Sequence, residues 1–155
     1  MNGMTVIVKT VSSWVKLLIF LFGIYIIIFG HLTPGGGFAG GVILASSYIL
    51  LMLAFGRNFA EENLSFGWAS KLDCVGALMF AALALCGLFY GGAYFFWNFI
   101  QQRYMSEGDN VLKLVSAGTI PLANIAIGLK VMTSLFLVTL VLSTFRLDGT
   151  VKEKE

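Results

Sequence analysis

Two ionisable side chains stand out because each lies within a long run of uncharged, largely apolar sequence. Lys130 comes about ten residues after the start of such a run at Ile120, which corresponds to roughly 15 Å along an α-helix. A charged lysine near the centre of a bilayer costs several kcal/mol, so it must face protein or water, meet a partner or be neutral. Lys130 is therefore a candidate for an electrostatic role or a place on an ion route.

The sequence offers no obvious partner for Lys130. None of the eight acidic residues lies well inside an apolar run, and Asp73 comes closest, at the predicted cytoplasmic edge of the third run. We therefore expect Lys130 either to lose its proton or to pair with a carboxylate from another chain. Cation translocation commonly uses buried carboxylates, so the chain alone looks incomplete for transport.

His31 is the second candidate and stands beside a break in helical sequence. It is the only histidine, and it precedes Leu32, Thr33, Pro34 and the run Gly35-Gly36-Gly37, in a stretch from 17 to 55 without Asp, Glu, Lys or Arg. Proline and three glycines predict a tight turn or unwound segment. Two interpretations stay open: an ordinary hairpin, or a proton-exchanging imidazole beside backbone carbonyls able to meet a cation.

Several other kinds of chemistry have no support in the sequence. Cys74 and Cys86 are the only cysteines and have no CxxC spacing, so neither a zinc site nor an iron-sulfur cluster is expected. No nucleophile–base pair, paired carboxylates or phosphate-binding loop is evident. The net charge of +2 is small and scattered and indicates no nucleic-acid partner. We expect a protein without cofactor, metal or enzymatic activity.

The composition predicts the kind of fold that positions Lys130 and His31. The chain has 155 residues, 58% hydrophobic and 12% charged, against about 25% charged in ordinary soluble domains. Apolar runs predict an all-α integral membrane protein whose four transmembrane helices cover about 14–29, 38–55, 75–97 and 120–145. The chain would form one membrane domain, 1–155, with a surface helix near 111–115 and a solvated, frayed tail at 148–155.

The distribution of basic residues predicts the orientation in the membrane. With four crossings, the side that holds both termini collects Lys9, Lys16, Arg57, Lys71, Arg146, Lys152 and Lys154. The opposite side holds Arg103 and Lys113. Since basic loops tend to stay inside, both termini are predicted to be cytoplasmic.

Glycines four residues apart predict close helix packing. The pairs are Gly36 with Gly40, Gly37 with Gly41, and Gly87 with Gly91. Such pairs could hold the chain's own bundle together or contact other subunits, and the sequence leaves both open.

Two separated motifs resemble a known family. The segment GHLTPGGGFAGG at 30–41 and the segment GTIPLANIAIGLKV at 118–131 are similar to signatures of the MrpB or MnhB component of multisubunit Na+/H+ antiporters. The resemblance implies a multi-pass subunit in the cell membrane of a bacterium or archaeon. It also implies large antiporter-like subunits and several small helical ones as partners, with Na+ and H+ as the transported ions.

Carried over by motif, the resemblance implies roles for particular residues. His31 and Lys130 would titrate or set the electrostatics of a nearby ion route, whereas Pro34, Phe38 and the glycines of the motif, including Gly40 and Gly41, would shape the backbone. The family also occurs as a module of respiratory complexes such as membrane-bound hydrogenases, and Leu32-Thr33 resembles those relatives more. In such a complex the redox chemistry belongs to other chains.

Three hypotheses remain after the sequence alone. The first is an accessory subunit of a cation/proton antiporter module, which predicts no transport by the isolated chain. The second is a transporter or pore made of several copies, which the shortage of intramembrane acids disfavours. The third is a structural scaffold, in which neutral substitutions of His31 and Lys130 preserve transport whenever assembly survives.

Overall fold

The computed structural model describes residues 4–91, 94–100 and 117–152, with side chains at 4–90, 94–100 and 117–144. These ranges contain helices α1 (Val6–Ile28), α2 (Gly36–Phe55), α3 (Arg57–Asn63), α4 (Phe66–Gly91) and α5 (Ile120–Lys152). The four long helices are apolar enough to cross a membrane, over Val6–Ile28, Gly36–Phe55, Phe66–Tyr90 and Ile120–Thr144. The prediction of an all-α fold with four membrane-spanning helices is confirmed.

The starts of α1 and α4 differ from the starts of the apolar runs because charged residues interrupt the hydropathy there. α1 begins at Val6 rather than near residue 14, so Lys9 lies inside it in addition to Lys16. α4 begins at Phe66 rather than near residue 75 and ends at Gly91 rather than near residue 97. Lysine is among the better helix formers, so single charges end an apolar run without ending the helix.

The predicted tail is helical as far as the structure describes it, since α5 continues to Lys152. The predicted surface helix at 111–115 and residues 153–155 lie outside the described residues. The inside location of both termini stays a prediction.

The bundle is built around α2 and α5. α2 packs between α1 and α5, α4 packs against α5, and the short α3 lies beside α2. One apolar core cluster contains Ile27, Leu44 and Met132, from α1, α2 and α5. A second includes Met52 of α2 and Phe136 of α5. α4 is the least enclosed of the four long helices, with 11% of its most apolar window buried against 44% for α2.

Glycines let the central helices approach closely. A Cβ placed on Gly41 of α2 would lie 2.7 Å from the Gly128 carbonyl oxygen of α5. A Cβ on Gly40 would lie 2.5 Å from the Ile27 side chain of α1. At these positions the glycines pack the chain's own helices against one another.

Candidate functional site

An ion pair joins α4 to α5. Lys130 Nζ donates to both carboxylate oxygens of Asp73, at 3.0 Å each. Asp73 lies seven residues after Phe66, the first residue of α4, or roughly 10 Å along the helix. The expectation that Lys130 either loses its proton or takes a carboxylate from another chain is therefore wrong in one respect, since this chain itself supplies a carboxylate. The position of Asp73 at the edge of the membrane stays a prediction.

Ser134 completes the polar cluster. It follows Lys130 by four residues and therefore lies on the same face of α5. Its hydroxyl donates to Asp73 Oδ1 at 2.5 Å. The neighbouring Thr133 instead donates to the carbonyls of Leu129 and Lys130. The carboxylate of Asp73 thus accepts hydrogen bonds from two side chains of α5.

Gly76 brings the two helices close enough for this contact. It lies three residues after Asp73, on the same side of α4. A Cβ at Gly76 would lie 3.0 Å from the Ala126 carbonyl oxygen and 3.0 Å from the Lys130 amide nitrogen. Because α4 rests almost on the backbone of α5 here, the short aspartate side chain can reach the ammonium group.

Lys130, one partner of the ion pair, lines an open cavity of about 480 Å³ between α4 and α5. We call it the α4–α5 groove; its lining includes Phe38, Ala77, Phe80, Ile127, Lys130 and Ser134. The side chains of Lys130 and Asp73 are 45% and 24% exposed. Phe38, which the resemblance assigned to backbone shaping, therefore lies in the same groove as Lys130.

The motif that contains His31 forms the connection between α1 and α2. Thr33 N donates to the Phe29 carbonyl at 3.1 Å, and Gly35 adopts a left-handed φ of 93° just before α2. Both ring nitrogens of His31 are buried and have no hydrogen-bond partner among the described residues. Among the residues that the structure describes, no hydrogen bond joins His31 to Lys130.

Asn124 fixes this connection to α5, a contact that the sequence did not predict. The Gly37 amide, in the first turn of α2, donates to Asn124 Oδ1 at 3.2 Å. A Cβ on Gly37 would collide with the Asn124 backbone. The glycine motif thus lets the start of α2 dock onto α5, six residues before Lys130.

Lys16 is a further ionisable residue inside a membrane-length helix. It is the eleventh residue of α1, and its ammonium lies 5.1 Å from the centroid of the Tyr48 ring of α2. Tyr48 in turn makes an edge contact with Phe136 of α5. The sequence did not single out this position, because the predicted first span begins only two residues before Lys16 and places Lys16 at its edge.

The structure gives no indication of a metal centre in the part of the chain that it describes. No group of three or more His, Cys, Asp and Glu side chains there could hold a metal ion. The chemistry available at the groove is that of a carboxylate, an ammonium and a hydroxyl in contact.

A bundle of four membrane-length helices with an ion pair between two of them defines a multi-pass membrane protein. The chain belongs to the family described as "Domain related to MnhB subunit of Na+/H+ antiporter", whose model matches residues 7–137. The family resemblance drawn from the two sequence motifs is therefore confirmed.

Individual proteins are also similar to this chain. An uncharacterized protein of Methanocaldococcus jannaschii is 37% identical over 139 residues, covering 90% of this chain and 52% of the relative. Proteins named "Putative antiporter subunit mnhB2" match from Staphylococcus haemolyticus, 37% identical with 59% of this chain and 64% of the relative covered, and Staphylococcus epidermidis, 38% identical with 56% and 60% covered. The chain thus spans between about half and two thirds of the length of these relatives.

Proposed function

We propose that the chain is a non-catalytic membrane subunit of a multisubunit Na+/H+ antiporter module, contributing to the ion route and to assembly. Membership of the MnhB-related family supports the antiporter context. The names of the staphylococcal relatives describe antiporter subunits, which supports a role as one subunit among several.

The observation that carries the ion-route part of the proposal is the Asp73–Lys130 pair beside the α4–α5 groove. Ionisable groups within membrane helices commonly mark ion pathways and proton relays. The sequence alone indicates no carboxylate for such a route, whereas the contact of Asp73 with Lys130 offers one within this chain. His31, with its buried ring nitrogens, is a second candidate position on or beside the route.

The partners in this proposal are large antiporter-like subunits and small helical subunits in the cell membrane of a bacterium or archaeon. The module would be either a free-standing antiporter or the ion-translocating arm of a respiratory complex such as a membrane-bound hydrogenase. In the second case the redox reactions would occur on other chains.

The test is Na+-dependent proton transport in vesicles that contain the intact complex. We expect Lys130→Met and Asp73→Asn each to lower transport by about tenfold or more, equivalent to about 1.4 kcal/mol in the barrier. Lys71→Met is the matched control, because Lys71 lies on α4 but contacts the Trp68 ring rather than an acid. It should retain transport within about twofold.

Co-purification of the other subunits must be measured in the same membranes. Normal transport by Lys130→Met in an assembled complex would refute the ion-route role and support the scaffold hypothesis. The chain alone should give no transport after reconstitution. Because each copy carries its own Asp73, transport by the chain alone would instead support a pore made of several copies.

A further inference from the structure

Lys16 places a positive charge between α1 and α2, well inside the length of both helices. Its ammonium lies 5.1 Å from the centroid of the Tyr48 ring, and Tyr48 comes seven residues before Phe55, the last residue of α2. Seven residues span roughly 10 Å along a helix. Because the 20 residues of α2 are about the number needed to cross the hydrocarbon core, the ammonium lies too deep to contact lipid phosphates at that end of α2.

The chain supplies no carboxylate at the level of Lys16. The first acidic residue in the sequence is Glu61, so neither α1 nor α2 carries one; Glu61 lies beyond the end of α2 and already has an ion pair within α3. α5 also contacts α1, and its acidic residue, Asp148, comes twelve residues after Phe136, or roughly 18 Å along the helix. Phe136 is the α5 residue that contacts the Tyr48 ring. Every element packed against α1 therefore leaves Lys16 without a counter-charge.

The Tyr48 ring compensates only part of this charge. The face of an aromatic ring stabilises an ammonium group by less than it costs to hold that charge within a membrane. An ammonium group has three N–H donors, and among the residues that the structure describes none of those of Lys16 finds an acceptor. Lys130, by contrast, meets the carboxylate of Asp73. A charged Lys16 therefore requires an anion from outside the chain.

The surroundings of Lys16 indicate what carries the anion. α1 lies at the edge of the bundle, with 17% of its most apolar window buried. Lys16 itself is partly exposed, and the nearby Trp14 and Leu18 are 72% and 67% exposed. Lipid hydrocarbon offers neither charge nor hydrogen-bond acceptor. At this depth a carboxylate side chain on a neighbouring membrane helix is the anion that can reach the ammonium.

We propose that Lys16 pairs with an Asp or Glu side chain on a transmembrane helix of another subunit, which packs along α1 at the level of Tyr48. This inference rests on the proposed function only in requiring that the chain is one subunit of a complex. It assigns the two intramembrane lysines different partners, since Lys130 is neutralised within the chain by Asp73 and Lys16 is neutralised between chains.

Zero-length cross-linking of the intact complex tests the proposal. Dicyclohexylcarbodiimide is a lipid-soluble reagent that activates a carboxyl group; the amine of an adjacent lysine then attacks, an amide bond forms and dicyclohexylurea leaves. Lys130 and Asp73, whose charged atoms are 3.0 Å apart, provide an internal positive control in the same sample. The cross-linked peptides are identified by mass spectrometry of the purified complex.

We expect a cross-link between Lys16 and an Asp or Glu within an apolar segment of another subunit, together with the link between Lys130 and Asp73. The matched variant Lys16→Arg keeps the charge but lacks the amine. It should assemble with the same subunits and lose only the cross-link at position 16. Lys16→Met removes the charge and should lower co-purification of the cross-linked subunit by about tenfold or more.

Three results would each overturn the proposal. They are a Lys130–Asp73 link without any link from Lys16, a link from Lys16 to a second copy of this chain, and co-purification of the other subunits with Lys16→Met at the wild-type level. In each case an assembled complex with Na+-dependent transport would leave the proposed function standing. Recovery of the wild-type chain without any other subunit would instead refute the proposed function.

Discussion

The Asp73–Lys130 ion pair makes a quantitative prediction for a double-mutant cycle. Unit charges about 4 Å apart interact by about 4 kcal/mol at an effective dielectric constant of 20, and breaking a buried pair from one side costs about 3–5 kcal/mol. Since both side chains are partly exposed, we expect Lys130→Met and Asp73→Leu each to lower the free energy of unfolding by about 2–3 kcal/mol.

The double variant should behave differently from either single one. Replacing both charges by apolar side chains of similar size is often nearly neutral, and Ser134 can then donate to its own helix backbone. We expect the double variant to lie within about 1 kcal/mol of the wild type, which gives a coupling energy of at least about 3 kcal/mol in magnitude.

The assay is reversible unfolding of the purified chain in mixed micelles, followed by helix content. A control cycle uses Arg57→Met and Glu61→Leu, since this pair lies within α3 at 2.8 Å. Exposed ion pairs between residues four apart on a helix contribute about 0.3–0.5 kcal/mol to the free energy of unfolding. If the effects at Asp73 and Lys130 add to within about 0.5 kcal/mol, the two residues do not form the pair in the folded chain.

Two further predictions concern glycines. Gly76→Ala should push α4 away from Lys130, destabilise the chain by about 1–3 kcal/mol and lower Na+-dependent transport; an unchanged transport rate would show that this close approach is unimportant for the pair. Gly37→Ala should lower the free energy of unfolding by about 3 kcal/mol, because the added Cβ would collide with the Asn124 backbone. The control Gly67→Ala, with no atom within 4 Å of the added Cβ, should be neutral or stabilise α4 by up to about 1 kcal/mol. Equal unfolding free energies of the Gly37 and Gly67 variants would contradict the docking of α2 on Asn124.

The sequence predicted the number of membrane helices because hydropathy depends on local composition. It misplaced the starts of α1 and α4 because Lys9, Lys71 and Asp73 interrupt the hydropathy without ending helices. Helix formation depends on backbone geometry and on helix propensity, whereas an apolar run reflects only the free energy of transferring side chains from water to lipid. A helix that carries charges can extend further than its apolar run.

The sequence identified Lys130 but could not identify its partner. Asp73 is 57 residues away from Lys130, and their contact depends on the register of α4 against α5. Gly76 fixes that register through a close approach that periodicity does not show. A usable signal was present: Asp73 and Gly76 share one side of a helix, as do Lys130 and Ser134. Pairing those two faces requires knowing which helices are neighbours.

Stability by itself does not account for an ion pair in this position. A buried pair and a well-packed apolar pair are often about equally stable, and α4 and α5 are already held together by close contacts at Gly76. If the apolar double variant folds and assembles but does not transport, the charges serve ion movement rather than the bundle. If it folds, assembles and transports normally, the pair serves neither purpose and the scaffold hypothesis is favoured. The double-mutant unfolding cycle and the transport assay therefore have to be performed on the same variants. Only the two results together distinguish a structural ion pair from one on the ion route.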